Sequence, residues 1–174
     1  CGHEPLRPMP TPCRRTRSTP RPTACHARLC DHPRMSVDLD LAYSSAVDVA
    51  SRIAAGELSP VDVVENSLAR IEQVQPHLNC FTTVWADSAR AEARAAVAAL
   101  AAGRPLPPLH GVPIALKETT PIAGLPLSSG SWAHEQLIAD RDSAIVGAMR
   151  RAGAIVVGIT TSPEFAHSSI TDTF

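Results

Sequence analysis

The sequence contains a single lysine, Lys117, against fifteen arginines. An arginine stays protonated at any ordinary pH, whereas a lysine amine can lose its proton when burial or nearby positive charge disfavours the cation. Lys117 stands at the end of the apolar run formed by residues 112–116. It is therefore a candidate general base. The alternative is a solvated lysine at the end of a strand.

Cysteine, aromatic residues and long apolar runs are also scarce. Beyond residue 34 the only cysteine is Cys80, so no disulfide can form within that part, and a reducing compartment such as the cytoplasm is expected. Aromatic residues make up 3% of the chain, and no apolar run approaches the length of a membrane span or of a secretory signal. The sequence therefore predicts neither membrane insertion nor export.

Residues 1–34 differ in composition from the rest of the chain. They hold seven of the sixteen prolines, seven arginines and four of the five cysteines, but only two acidic residues. Large apolar side chains are nearly absent there, so burial cannot offset the entropy cost of ordering. We interpret residues 1–34 as a disordered leader of non-native upstream sequence, with the natural start at Met35, and residues 35–174 as the folded part.

Two alternatives apply to this leader. Its cysteines and histidines could bind zinc, although their spacing matches no regular zinc motif. An arginine-rich segment could also be an organelle transit sequence, but seven prolines oppose the amphipathic helix that such a sequence needs. The candidate zinc ligands are Cys13, Cys25, His26, Cys30 and His32.

Four helical patterns follow residue 43, each with a capping residue at its start and a glycine or proline near its end. The predicted capping residues are Ser45, Ser59, Asp87 and Asp142, and the predicted ends are Gly56, Pro76, Gly103 and Gly153. The apolar spacing of the third pattern predicts a buried side formed by Ala93, Ala96, Val97 and Leu100. That of the fourth predicts a buried side formed by Ile145, Ala148, Met149 and Ala152.

Three stretches predict strands. Residues 79–85 are rich in aromatic and β-branched types, residues 110–117 follow a proline-rich linker, and residues 154–159 form an apolar run typical of a central strand. We therefore expect an α/β fold, a mixed β-sheet with helices on both faces. A central strand needs a partner on each edge, and we expect sequence beyond residue 174 to supply them. The isolated chain would then be aggregation-prone or partly disordered.

A serine-rich loop follows Lys117. Loops at the carboxyl ends of strands in α/β sheets are where ligands usually bind, so a base at a strand end facing this loop is placed for chemistry. The serines themselves are more typical of a turn than of a nucleophile. They are Ser128, Ser129 and Ser131, around Gly130.

Several segments together resemble the amidase signature family. Its members carry a GVP-x-x-x-K-[DE] strand, then a loop with A-G-x-x-[ST] and Gly-Ser, then a helix, a strand and a T-N-x-P-E-F segment. The match spans most of residues 40–174 in the same order and spacing, which is far more specific than one motif. The matching segments are HGVPIALKE at 110–118, IAGLP at 122–126, SGS at 129–131, GAIVVG at 153–158 and TTSPEF at 160–165.

The resemblance implies hydrolysis of a carboxamide by a Ser-Ser-Lys triad. A neutral lysine draws a proton through a bridging serine, whose preceding peptide is cis, and a second serine attacks the carbonyl carbon. On that resemblance Lys117 is catalytic, while Ser131 and Phe165 are candidates for substrate binding. Phe165 has the alternative of a core aromatic.

This chain departs from the family's pattern in one major way. The family's two serines and its oxyanion-hole amides lie in a Gly-Gly-Ser-Ser-Gly-Gly type stretch, which does not occur before Phe174. We therefore expect the isolated chain to be inactive. Smaller departures are Glu118 where aspartate is usual, Ile159 where lysine is frequent, and Thr161 where asparagine is common.

The resemblance also implies what would bind. It implies a small-molecule amide substrate, no metal and no organic cofactor, and it allows a homo-oligomer. Nucleic acid would be a partner only in the alternative of an aminoacyl-tRNA amidotransferase component, which acts with partner chains and tRNA. A further alternative is a non-catalytic binding or interaction module. The sequence does not name the amide.

Overall fold

The computed structural model describes residues 36–171. The leader with its candidate zinc ligands, the predicted start Met35, and residues 172–174 lie outside the described residues. Two short 3-10 helices, Trp132–His134 and Glu164–Ala166, lie in the loops. The main elements are α1 (Leu39–Ala42), α2 (Ala46–Ala54), α3 (Pro60–Leu78), β1 (Phe81–Val84), α4 (Ala86–Ala101), β2 (Pro113–Lys117), α5 (Ala144–Arg151) and β3 (Ile155–Thr160).

The first two predicted helix starts are confirmed. Ser45 is the N-cap of α2, and its hydroxyl accepts a hydrogen bond from the N–H of Asp48 at 3.1 Å. Ser59 caps α3 in the same way, with Pro60 at the first helical position, where its missing N–H costs nothing. These side chains satisfy amides that a helix start leaves without a partner.

The helix α3 continues two residues beyond the predicted end at Pro76. A proline removes its own N–H donor, but in the last turn the loss of one bond does not stop the helix. The helix ends instead at Asn79, whose backbone is left-handed with φ 44° and whose N–H donates to the carbonyl of Gln75. Asparagine tolerates that conformation better than most residues.

Two predicted caps are wrong. The helix α4 begins at Ala86, so Asp87 lies inside its first turn. Its exposed carboxylate still interacts favourably with the positive end of the helix dipole. The N-cap of α5 is Ser143. Asp142 is used elsewhere, because its Oδ1 accepts a hydrogen bond from the N–H of Ala123 at 2.9 Å and fastens the preceding loop.

The predicted buried sides of α4 and α5 are wrong in part. In α4 the alanines pack inward, but Val97 is exposed. In α5 the side chain of Ile145 is 54% exposed, whereas Val146 is fully buried against Leu116 and Val156 of the sheet. Both residues fit a helical apolar pattern, and only the docking of α5 on the sheet decides which one faces inward.

The sheet is mixed, as predicted. Its strand order is β1-β3-β2, with β2 parallel and β1 antiparallel to β3. On one face Ile155 and Val157 pack with α3 and α4, and on the other Val156 packs with α5. The expectation that β3 lacks partners in this chain is wrong, because residues 81–84 and 113–117 supply both. The outer edges of β1 and β2 carry no further strand within residues 36–171.

Polar contacts tie the helices to one another. Asn66 of α3 is buried and exchanges two hydrogen bonds with the backbone of Asp38, which caps α1. Arg90 of α4 forms a bidentate pair with Glu65 of α3, and the hydrogen bond to that carboxylate raises the pKa of Arg90. His110 is buried with its Nε2 3.0 Å from the carbonyl oxygen of Ala96, which is a structural role.

Candidate functional site

Lys117 lies where the two parallel strands end together. It is the last residue of β2 and is paired in register with Thr160, the last residue of β3. The side chain of Leu116 is buried, whereas that of Lys117 is exposed. The ion pairs formed within residues 36–171 do not involve Lys117. The amine is therefore held at a fixed edge of the sheet and is accessible.

Glu118 follows Lys117 directly and is buried, with 9% of its surface exposed. Its Oε1 accepts a hydrogen bond from the N–H of Ser162 at 2.5 Å, and its Oε2 accepts one from the hydroxyl of Ser128 at 3.2 Å. Its own N–H donates to the carbonyl of Thr160 at 3.0 Å. One residue thus contacts two separate segments at this edge, the end of β3 with the residues that follow it and the loop that contains Ser128.

The segments that Glu118 contacts form two facing loops. We call residues 128–131 the serine loop and residues 161–166 the strand exit, because the latter follows β3. Ser131 donates its hydroxyl hydrogen to Oε1 of Glu164 at 2.7 Å, and the N–H of Phe165 donates to the carbonyl of Ser129 at 2.8 Å. The two loops are therefore bonded to each other at several points.

Both loops contain left-handed backbone at residues that seldom adopt it. Ser129 has φ 53°, and Phe165 and Ala166 have φ 48° and 57°. Such conformations cost of order 1–3 kcal/mol each and persist only where the surroundings hold them. A Cβ on Gly130 would lie 2.6 Å from the carbonyl oxygen of Ser162, so only glycine permits this approach of the loops.

A cavity of about 390 Å³ opens between the two loops and the beginning of β1. It combines carboxylate, hydroxyl and aromatic groups, the mixture typical of a small-molecule site. Its lining includes Phe81, Glu118, Ser131, Trp132, Glu135 and Ser162. This cavity is the candidate site, because it contains residues of three sequence motifs and adjoins the strand end that carries Lys117.

A second cavity of about 450 Å³ lies under the loop before α5 and is lined by residues 137–143 together with Pro121 and Leu127. None of the residues that line it belongs to the strand ends or to the serine loop. Its size alone therefore does not make it the candidate site.

The predicted site residues fall in different places. Ser131 lines the candidate cavity and is 5% exposed. Phe165 does not line it, and its ring packs edge-on against His134 with centroids 5.1 Å apart. Phe165 is 53% exposed, so the alternative of a core aromatic is wrong. Lys117 is not itself in the lining, but its neighbour Glu118 is.

Sequence reasoning missed Glu118, which it treated only as a departure from a pattern. The available signal was a carboxylate directly after an apolar strand, since burial of such a group requires hydrogen-bond donors nearby. The donors are a backbone amide and a hydroxyl from distant segments. Their positions follow from the fold and not from spacing in the sequence.

Two absences in the described part of the chain concern membranes and metals. None of the helices in residues 36–171 has the length and apolar character that spanning a membrane requires. No group of three or more His, Cys, Asp or Glu side chains in the same residues is arranged to hold a metal ion.

The fold and the site define an α/β protein with a lone lysine at the carboxyl edge of a mixed sheet. Residues 62–173 match the family model described as Amidase. The chain belongs to the amidase family, the amidase signature enzymes.

Two relatives of this chain support the family assignment. The chain is 42% identical over 133 residues to a component of the glutamyl-tRNA(Gln) amidotransferase of Acidothermus cellulolyticus, covering 76% of this chain and 26% of that protein. It is 41% identical over 128 residues to indoleacetamide hydrolase of Bradyrhizobium diazoefficiens, covering 74% of this chain and 24% of that protein. The chain thus spans about a quarter of the length of these relatives.

Solved structures give the same result for the fold. The native peptide amidase from Stenotrophomonas maltophilia superposes with a TM-score of 0.67 at 30% sequence identity, covering 75% of this chain and 27% of that one. The predicted α/β fold is therefore confirmed.

Proposed function

We propose that the protein to which this chain belongs hydrolyses carboxamides and that Lys117 is its general base. The observation that carries the proposal is the position of the chain's only lysine, at the shared end of β2 and β3, next to the cavity between the serine loop and the strand exit. Membership of the amidase family supports amide hydrolysis as the reaction class. No step of the proposed reaction needs a metal or an organic cofactor.

The proposed reaction proceeds through a covalent intermediate. The neutral amine of Lys117 accepts a proton relayed by a bridging serine, while a second serine attacks the amide carbon. The proton then passes to the departing ammonia or amine, and water hydrolyses the resulting ester to give the carboxylate and free serine.

The two serines and the oxyanion donors are proposed to come from sequence beyond residue 174. Ser131 is a poor candidate for the nucleophile, because it is buried and its hydroxyl hydrogen is donated to Glu164. Lys117 alone is then a base with nothing to activate, since a triad acts as a unit. We therefore propose that the 174-residue chain is inactive by itself.

The test compares this chain with the extended protein, meaning this chain together with the sequence that follows residue 174. Release of ammonia or amine is measured on a panel of simple amides. We expect turnover only by the extended protein, and none after Lys117→Ala. Turnover by the isolated chain that is abolished by Ser131→Ala would place the nucleophile in the serine loop and contradict the proposal.

A second candidate function is that of a component of an aminoacyl-tRNA amidotransferase. The identity to the amidotransferase component of Acidothermus cellulolyticus is 42%, and the identity to indoleacetamide hydrolase is 41%. Because the two values are nearly equal, sequence similarity supports this function as well as it supports small-molecule hydrolysis. A component of this kind would release ammonia from glutamine only with its partner chains present. Glutamine hydrolysis by the extended protein, measured with and without such partners and tRNA, separates the two functions.

A further inference from the structure

We propose that Glu118 is a positioning residue that holds the serine loop and the strand exit in register with the end of β2, and so sets the shape of the cavity beside Lys117. The proposal rests on the proposed function and deepens it. It assigns a role to a residue that does not take part in the proton transfers or in the attack on the amide.

The contacts of Glu118 reach the end of β3 and both loops. Its backbone is bonded to Thr160 at the end of β3, and its side chain is bonded to Ser162 beyond that strand and to Ser128 in the serine loop. Among the cavity-lining residues, Glu118 is the one that directly follows Lys117. Movement of its carboxylate would therefore move both loops relative to the amine.

The charge of Glu118 is costly to bury. No Lys, Arg or His within the described residues 36–171 forms an ion pair with it. The partners that compensate it are an amide and a hydroxyl, and hydrogen bonds to an ionised oxygen are shorter and stronger than neutral ones. An apolar side chain would avoid that cost but could not hold the N–H of Ser162. The carboxylate of Glu118 therefore serves to hold the two loops in position and not merely to fill buried space.

Other features of the same edge require such control. The serine loop and the strand exit contain the left-handed residues Ser129, Phe165 and Ala166, which relax unless neighbouring contacts hold them. Their mutual bonds fix the loops to each other, but Glu118 is the residue that bonds both of them to β2. A misplacement of about 1 Å at a reacting centre can cost about 100-fold in rate.

The test uses Glu118→Ala and Glu118→Gln in the extended protein, with kcat, KM, melting temperature and amide hydrogen exchange of residues 161–165 as readouts. The matched control is Asn66→Ala. Asn66 is also buried and also makes two side-chain hydrogen bonds to another segment, but it lies on α3 and contacts Asp38, away from the cavity.

We expect Glu118→Ala to lower kcat about 100-fold while KM changes less than about threefold, and to speed exchange at residue 162. Glu118→Gln should lower kcat only about tenfold, because an amide oxygen still accepts from Ser162 but without the charge. Asn66→Ala should lower the melting temperature and leave the kcat of the folded protein within about twofold.

Equal kcat losses in Glu118→Ala and Asn66→Ala at equal destabilisation would overturn the proposal, as would a kcat for Glu118→Gln within about twofold of the parent. If Glu118→Ala does not fold, Glu118→Gln decides the matter. If the parent hydrolyses no amide, the proposed function fails by itself, and the exchange rate of residue 162 in Glu118→Ala still tests the positioning role. Unchanged exchange would then overturn it.

Discussion

The carboxylate of Glu118 accepts a hydrogen bond from the backbone amide of Ser162 across a distance of 2.5 Å, although 44 positions separate the two residues in the sequence. The contact joins the end of β2 to the chain that leaves β3. The carboxyl ends of β2 and β3 are therefore joined by a side-chain contact as well as by the strand pairing, and Lys117 lies next to that contact.

Replacing Lys117 by arginine in the extended protein should reduce turnover by several orders of magnitude with little change in stability. Arginine keeps the positive charge but cannot release its proton, and the side chain is exposed, so folding does not depend on it. The measurement is kcat/KM with a melting curve for each variant. Activity of Lys117→Arg within about tenfold of the parent would assign the residue a structural role.

Replacing Gly130 by alanine should destabilise the 174-residue chain by about 3 kcal/mol, from left-handed backbone strain and contact with the carbonyl of Ser162. Gly124→Ala is the matched control. Gly124 has a similar φ of +77° but open space around the added carbon, so its cost should be about 1 kcal/mol. Urea unfolding measures both, and equal costs would show that the loops do not approach closely at Gly130.

Truncating Val146 should cost far more than truncating its neighbour on α5. Val146→Ala removes two fully buried methyl groups and should cost about 2 kcal/mol, whereas Ile145→Ala should cost less than about 0.5 kcal/mol in this chain. Denaturant midpoints of the two variants provide the comparison. If Ile145→Ala cost more than Val146→Ala, Ile145 would be the residue that faces the sheet, as the apolar pattern predicts.

Replacing Asn66 by alanine should cost about 2 kcal/mol, because the N–H and the carbonyl of Asp38 both lose their partner. Ser44→Ala is the control, since it removes one exposed hydrogen bond to the carbonyl of Asp40 and should cost less than about 0.5 kcal/mol. Thermal unfolding of the two variants is the measurement. Similar costs for both would mean that the tie between α1 and α3 contributes little to stability.

The sequence predicted what depends on neighbouring residues. Ser45 and Ser59 cap helices because the amides they bind lie two or three positions away. The apolar run of β3 identified the central strand because burial on both faces leaves no polar position.

What the sequence did not predict depends on distant contacts. The side chain of Asp142 could cap a helix, but it accepts a hydrogen bond from the N–H of Ala123 instead. The partner Ser162 comes close to Glu118 only when β2 and β3 are paired. The inward side of α5 was ambiguous between Ile145 and Val146 until its place on the sheet was known. The apolar run of β3 likewise predicts a strand with two partners but does not identify them as β1 and β2, which lie far from it in the sequence.

The central place of β3 in the sheet also determines the order of events during synthesis. Phe81 and Lys117 both pair with Thr160, so neither β1 nor β2 can join the sheet before β3 has left the ribosome. The packing of α3 against α4 requires only local chain closure and can come earlier. A nascent chain halted before residue 155 would therefore carry a helical pair with two unpaired strands, the kind of intermediate that chaperones bind.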